Sequence, residues 1–95
     1  MRKRAKIDDN QTVIVKALRA IGASVQSLAT IGGGCPDLVV GYRGVNYLLE
    51  IKDGSKPPSK RKLTPDEREF IDNWRGKVSV VNSINDAIKA VAVKT

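Results

Sequence analysis

The chain contains no histidine and only one cysteine, Cys35, among its 95 residues. The absence of histidine excludes nucleophile activation by an imidazole base and zinc sites with histidine ligands. A single cysteine permits neither an internal disulfide nor a zinc finger. A reducing compartment, the cytoplasm, is therefore the expected location.

Aromatic residues and long apolar runs are also scarce. Aromatic side chains make up 4% of the chain, which argues against a platform that stacks single-stranded bases. No apolar run approaches the roughly 20 residues that a membrane-spanning helix needs, and no apolar segment follows the basic N-terminus as in a secretory signal. We therefore expect no membrane partner.

Positive charge is what the chain has in excess. Lysine and arginine number 17 against 10 acidic residues, a formal charge of +7. This balance favours a polyanionic partner, most commonly nucleic acid, although solubility alone is the alternative. Residues 1–7 are predicted to form a basic N-terminal arm that adds non-specific affinity or is only a soluble tail. Residues 8–95 are predicted to form one domain.

Periodicity and turn residues predict the order of the elements. Two apolar runs, Leu38-Val39-Val40 and Tyr47-Leu48-Leu49, flank the turn Tyr42-Arg43-Gly44 and predict a hairpin, and a later strand–helix–strand passage predicts a right-handed crossover with a parallel pair. The expected class is α/β, with one mixed sheet flanked by helices. The predicted elements are a helix at about 10–21, strands at 24–28, 37–40 and 45–52, a helix from Pro65, a strand at 77–82, and a last helix capped by Ser83 and Asp86.

The second helix carries the strongest start signal. Thr64 is predicted as its cap, Pro65 fits the first turn, and Glu67 completes a capping box. Phe70 and Trp74 follow at helical spacing, which favours a place in the core over stacking on a base.

Two carboxylates stand on the predicted hairpin, at Asp37 and Glu50. If the strands pair in simple register around the turn, Asp37 approaches Glu50, and two such groups together repel and lose hydration. A divalent cation resolves this conflict, and Mg²⁺ prefers oxygen ligands. Lys52, on the same face as Glu50, is placed to orient water or to neutralise developing negative charge. The alternative is a salt bridge of either carboxylate with Lys52 or Arg43.

A basic loop follows directly after Lys52. Its position beside the predicted metal site favours contacts with DNA phosphates, and a solvated loop is the alternative. The cations concerned are Lys56, Lys60, Arg61 and Lys62.

Pro36-Asp37 followed by Glu50-Ile51-Lys52 on the next strand resembles the signature of PD-(D/E)XK nucleases. More narrowly, the chain resembles the small VRR-NUC domains of phages and bacteria. The resemblance covers roughly residues 8–88 and implies a restriction-endonuclease-like core of αβββαβ order. Its further supporting residues are Asp8-Asp9-Asn10-Gln11, Gly34-Cys35-Pro36-Asp37-Leu38, Pro58-Ser59 and Leu63-Thr64-Pro65.

The resemblance also implies an activity. It implies Mg²⁺-dependent hydrolysis of DNA phosphodiester bonds, with Mn²⁺ as a substitute, in a bacterial or phage-infected cell. Asp37 and Glu50 would be metal ligands, the backbone carbonyl of Ile51 a third ligand, and Lys52 the catalytic lysine. Branched DNA such as a four-way (Holliday) junction would be the substrate, and a homodimer the active form.

Two positions depart from the family pattern. Gln11 stands where the first helix often carries a glutamate, and Glu67 stands where a glutamine is common. Both residues are therefore candidates for an outer shell around the metal. The alternative for Glu67 is that it only caps the helix, and Asp8 or Asp9 could compensate for the missing charge at Gln11.

The rival function is a non-catalytic nucleic-acid-binding module that has kept the fold. A weaker third possibility is a structural or assembly protein.

Overall fold

The computed structural model describes residues 9–92, so the predicted basic arm lies outside the described part of the chain. Within this range three α-helices and four strands follow in the order predicted, and one short 3-10 helix lies between the third strand and the second α-helix. Their bounds are α1 Asp9–Ala20, β1 Ser24–Ser27, β2 Leu38–Tyr42, β3 Val45–Ile51, the 3-10 helix Pro58–Lys60, α2 Pro65–Asn73, β4 Val78–Val81 and α3 Ile84–Ala92.

The four strands form one mixed sheet of order β1-β2-β3-β4. The β2–β3 hairpin pairs Tyr42 with Val45 and Leu38 with Leu49, which is the simple register expected. Arg43 and Gly44 both have positive φ, 51° and 81°, as a two-residue turn that follows the strand twist requires. The hairpin prediction is confirmed.

The passage from β3 through α2 to β4 produces a parallel pair. Leu48 lies opposite Val78 and Ile51 opposite Val81 in this pairing. The predicted crossover is therefore confirmed, and it brings the start of α2 to the end of the sheet where β3 ends.

The core lies on one face of the sheet, beneath α1 and α3. Alternation along β3 sends Leu49 and Ile51 to this face and Glu50 to the other. Ten apolar residues are buried together: Ile14, Leu18, Ala23, Leu38, Val40, Leu49, Ile51, Val81, Ala87 and Val91.

The helix ends follow from local sequence. Gly22, with φ 94°, ends α1 in a Schellman motif, where Ala23 N–H donates to the Leu18 carbonyl and Gly22 N–H to the Arg19 carbonyl. At α3, the Asp86 amide donates to the Ser83 hydroxyl at 3.1 Å, as predicted. The capping box at Thr64 is also present in full.

The prediction that Phe70 and Trp74 belong to the core is wrong. Trp74 is 48% exposed, and no residue of α2 is buried. The helical spacing instead stacks the two rings on each other, with 5.0 Å between centroids. The reason is that α1 and α3 already cover the core face, while α2 begins beside the opposite face.

Several boundaries also differ from the predictions. Asp37 precedes β2 instead of opening it, and α2 ends at Asn73, three residues before Gly76, which the sequence predicts as its terminator. The loop after Lys52 contains a 3-10 turn that the proline-rich sequence did not predict. Among residues 9–92, no helix is long and apolar enough to cross a membrane.

Candidate active site

The hairpin register brings Asp37 to Glu50. The pairing of Leu38 with Leu49 places the preceding residue, Asp37, next to the one that follows Leu49. The Leu28 amide donates to the Asp37 carbonyl at 2.8 Å, which extends the β1–β2 ladder to this residue. Asp37 is therefore held by backbone pairing although it lies outside the strand.

The side chain of Asp37 is bonded to the neighbouring strand. Its Oδ2 accepts a hydrogen bond of 2.7 Å from the backbone amide of Ile51. The amide and carbonyl of one strand residue point to the same side, so the Ile51 carbonyl is directed towards Asp37 as well. Meanwhile the Lys52 amide donates to Val81 on the other side of β3.

Glu50 is a buried carboxyl group, with only 3% of its surface exposed. The pKa of Glu50 is raised to about 9. Burial is the largest cause, followed by the nearby charges of Asp37 and Glu67 and a hydrogen bond with Asp37, while the charge of Lys52 acts in the opposite direction. Without a cation, the pair therefore carries a proton at neutral pH. A bound divalent ion would replace that proton.

Lys52 lies between two carboxylates of the site. Its Nζ donates to Glu67 Oε1 at 2.7 Å and lies 3.7 Å from Glu50 Oε2. Burial by itself would lower the pKa of Lys52, but the hydrogen bond and charge of Glu67, with Glu50 and Asp37, raise it above its ordinary value. The lysine is therefore a cation at neutral pH.

Glu67 is part of the capping box and of the site. The same Oε1 that meets Lys52 also accepts the Thr64 amide at 2.9 Å, and the Glu67 amide donates to Thr64 Oγ1 at 3.2 Å. Burial would raise the pKa of Glu67, but the hydrogen bonds from Lys52 and Thr64 hold it below the ordinary value. Glu67 therefore caps α2 and contacts Lys52 at the same time, and its outer-shell role at a metal stays a prediction.

Asn10 makes a contact that the sequence did not predict. Its side-chain amide donates to the carbonyl of Lys52 at 2.8 Å and, more weakly, to that of Asn82 at 3.4 Å. It thereby ties α1 to the ends of β3 and β4. Its place in the Asp8-Asp9-Asn10-Gln11 stretch, which supports the family resemblance, was the only signal, and that stretch predicted no contact for Asn10.

Gln11 is buried in α1, at 6% exposure. It lines a groove of about 390 Å³ together with Thr12, Val15, Lys16, Arg19 and Ser27. The Gln11 side chain makes no hydrogen bond with another described residue. An outer-shell role for Gln11 therefore stays a prediction. Asp9 is exposed, and Asp8 lies outside the described residues.

The glycine loop before Asp37 packs against the start of α2. Gly32, Gly33 and Gly34 all have positive φ, between 65° and 81°. A Cβ on Gly34 would collide with the Asp66 carbonyl, so only glycine permits this approach. The adjacent Cys35 is half-buried, and burial and the charges of Glu50 and Asp37 raise its pKa.

The basic loop is anchored to β4 at its start, is braced by a hydrogen bond within itself, and is largely exposed. Gly54 N–H donates to the Asn82 carbonyl, and Arg61 Nε donates to the Lys56 carbonyl at 2.8 Å. Lys56, Lys60 and Lys62 are exposed, while Arg61 is half-buried. Three of the four predicted DNA-binding cations are therefore open to a partner.

The oxygen groups around Asp37 and Glu50 suit a hard cation. Within the described part of the chain, no cluster of three or more acidic, histidine or cysteine side chains forms a ready metal cage. Two carboxylates and the Ile51 carbonyl nevertheless supply only oxygen atoms, which is the donor set that Mg²⁺ takes while it keeps several waters. The burial of the Glu50 carboxyl group beside Asp37 is the observation that fits such an ion best.

A solved structure described as a "VRR_NUC domain" superposes on this chain with a TM-score of 0.62 and 29% identity, covering 83% of this chain and 86% of that one. This match supports a VRR-NUC domain assignment for the chain. The fold is accordingly restriction-endonuclease-like, and the VRR-NUC domain is of the nuclease type, for which DNA is the implied partner. No protein-family model matches the sequence, and no curated protein matches it significantly.

Proposed function

We propose that this VRR-NUC domain is a Mg²⁺-dependent endonuclease that hydrolyses DNA phosphodiester bonds, with Mn²⁺ as a working substitute. The observation that carries the proposal is the pairing of Asp37 with the buried Glu50 beside the cation of Lys52. A salt bridge alone explains this arrangement poorly, because the direct hydrogen bond of Lys52 goes to Glu67 and not to either member of the pair.

Each residue of the proposed site has a separate task. Asp37, Glu50 and the Ile51 carbonyl would hold the ion, which when bound lowers the pKa of water and stabilises negative charge on phosphate. Lys52 would neutralise charge that develops on the phosphate during attack by water. Gln11 and Glu67 would act from an outer shell through hydrogen bonds.

DNA binding would extend from the site along the basic loop. The exposed ammonium groups of Lys56, Lys60 and Lys62 lie on the segment that follows Lys52, and Arg61 completes the set. Such cations contact phosphates without reading sequence, so they would position a duplex and not select a base pair. We propose branched or four-way junction DNA as the preferred substrate.

We further propose a homodimer that uses the sheet face opposite the core. Away from Asp37, Glu50 and Lys52 this face carries no charged side chain, although the chain has a charge of +7. A second copy could approach it without bringing like charges together, whereas DNA would find no cation there. Its residues are Ser24, Gln26, Val39, Gly41, Asn46, Leu48, Val78 and Val80.

Cleavage assays with variants of the site test the activity. We expect Asp37→Ala and Lys52→Ala each to lower Mg²⁺-dependent cleavage of duplex, flap and four-way substrates by about 100-fold or more, since the first removes a proposed metal ligand and the second removes positive charge at the phosphate. Binding measured at low salt with EDTA should persist, because neither change removes a cation of the loop. Lys89→Ala, in the last turn of α3, is the matched control and should cut normally.

Two results would count against the proposal. Normal cleavage by both site variants, with unchanged metal dependence, would remove Asp37 and Lys52 from catalysis. Wild-type protein that binds DNA but cuts none of the substrates with either Mg²⁺ or Mn²⁺ would favour the non-catalytic binding module.

A further inference from the structure

One oxygen atom of Glu67 joins Lys52 to the start of α2. Glu67 Oε1 accepts from Lys52 Nζ at 2.7 Å and from the Thr64 amide at 2.9 Å. The side chains of Lys52 and Glu67 are only 14% and 19% exposed, so water screens their attraction less than it would at an open surface. The pair is thus a built contact and not a surface ion pair.

The distances show which carboxylate holds the lysine. Glu67 lies within hydrogen-bonding distance, whereas Glu50 Oε2 is 3.7 Å from the same Nζ. Lys52 is therefore held from the α2 side, which leaves the Asp37–Glu50 pair without a directly bonded cation. If Glu67 were absent, the nearest partner for Lys52 would be Glu50 itself.

We propose that Glu67 is the positioning residue for Lys52: its carboxylate, fixed by the backbone amide of Thr64, keeps the ammonium group away from Glu50 and directed for use at the phosphate. This inference rests on the proposed nuclease function and deepens it. It gives the capping box a second task, because the start of α2 then determines where the lysine of the site points.

A carboxylate suits this task better than an amide. Two N–H donors converge on Oε1, one of them charged, and hydrogen bonds between ionised groups are shorter and about twice as strong as neutral ones. A glutamine has only one acceptor oxygen and would offer a donor group to Lys52 if its amide were reversed. The contact with Lys52 therefore gives a physical reason for a glutamate, and not a glutamine, at position 67.

The first test measures Lys52 directly and needs no catalysis. Acylation of metal-free protein by a limiting amount of acetic anhydride, followed by peptide mass spectrometry, gives the reactivity of Lys52 relative to Lys89. We expect Glu67→Gln to raise it by about tenfold, because the ammonium group loses the charged acceptor that holds it. Glu69→Gln, the same exchange at an exposed position of α2, should leave it unchanged.

The second test separates positioning from helix capping. Glu67→Gln should lower kcat for Mg²⁺-dependent cleavage by about 10- to 100-fold with little change in KM, because a misplaced group weakens the chemical step. Thr64→Ala weakens the cap but leaves Glu67 Oε1 and its Lys52 contact in place. It should lower the unfolding midpoint while leaving Lys52 reactivity and kcat unchanged.

The outcomes distinguish this inference from the proposed function. Unchanged Lys52 reactivity and kcat in Glu67→Gln, in a wild type that cuts DNA, would overturn the positioning role alone. Equal losses in Thr64→Ala and Glu67→Gln would also overturn it, because a purely structural cap would then explain both. A wild type that never cuts would refute the nuclease, and the acylation rates would still decide whether Glu67 holds Lys52.

Discussion

At the scale of single residues, Glu50 has the most unusual environment in the described chain. Its carboxyl group is buried beside a second carboxyl group, and its pKa is raised from 4.5 to about 9 by burial first and by Asp37 and Glu67 next. Lys52 and Glu67 have their pKa values shifted the other way, each towards the charged form. Between pH 5 and 9, therefore, Lys52 and Glu67 both keep their charges, and Glu50 is the group of the three that titrates.

This environment predicts how stability depends on pH without metal. Between about pH 4.5 and 9 the folded chain keeps a proton on Glu50 that the unfolded chain releases, so the free energy of unfolding falls as pH rises, by at most about 1.4 kcal/mol per unit. The contribution is fully present below pH 4.5 and is lost through pH 9. Glu50→Gln should remove this slope, so the stability of the variant should rise relative to that of wild type as the pH increases.

Urea denaturation in EDTA at pH 5.5, 7 and 8.5 measures the free energy of unfolding of wild type and of Glu50→Gln. Asp72→Asn, an exposed carboxylate on α2, is the control and should follow wild type. Parallel pH profiles for wild type and Glu50→Gln would show that Glu50 titrates normally.

At the scale of elements, the features that sequence alone predicted are those that local rules determine. The Arg43-Gly44 turn sets the hairpin register, and that register brings Asp37 to Glu50. The Thr64–Glu67 capping box likewise depends on residues within one turn. For the same reason most of the fold and the acidic pair could be read from the chain.

The features that sequence did not predict depend on how distant elements pack. Asn10 meets Lys52 across 42 positions of sequence, and Glu67 meets Lys52 across 15. Periodicity could not tell that α2 would leave Trp74 exposed, because a helical apolar pattern does not say which side of the sheet is already covered. These contacts could be identified only from the three-dimensional structure.

At the scale of the whole molecule, the proposed dimer combines a basic chain with an uncharged sheet face. Val80 is 42% exposed on that face, whereas Val45, 38% exposed, lies on the other face beside the hairpin turn. A lysine at position 80 would place like charges near each other in a two-fold pair, and one at position 45 would not.

Mass in solution, measured by light scattering on a sizing column, tests this arrangement. We expect wild type and Val45→Lys to show about twice the 10.3 kDa chain mass, and Val80→Lys to shift towards the single chain. A monomeric wild type would contradict the dimer, and a dimeric Val80→Lys would place the interface elsewhere.

The central claim is that Asp37 and Glu50 together hold a divalent ion. Calorimetric titration of Mg²⁺ and Mn²⁺ into wild type, Asp37→Asn, Glu50→Gln and the control Asp72→Asn measures this without DNA. We predict binding by wild type and control that strengthens as pH rises, because the ion displaces the Glu50 proton, and loss of that binding in both site variants. Equal metal binding by all four proteins, or none by wild type, would contradict the account.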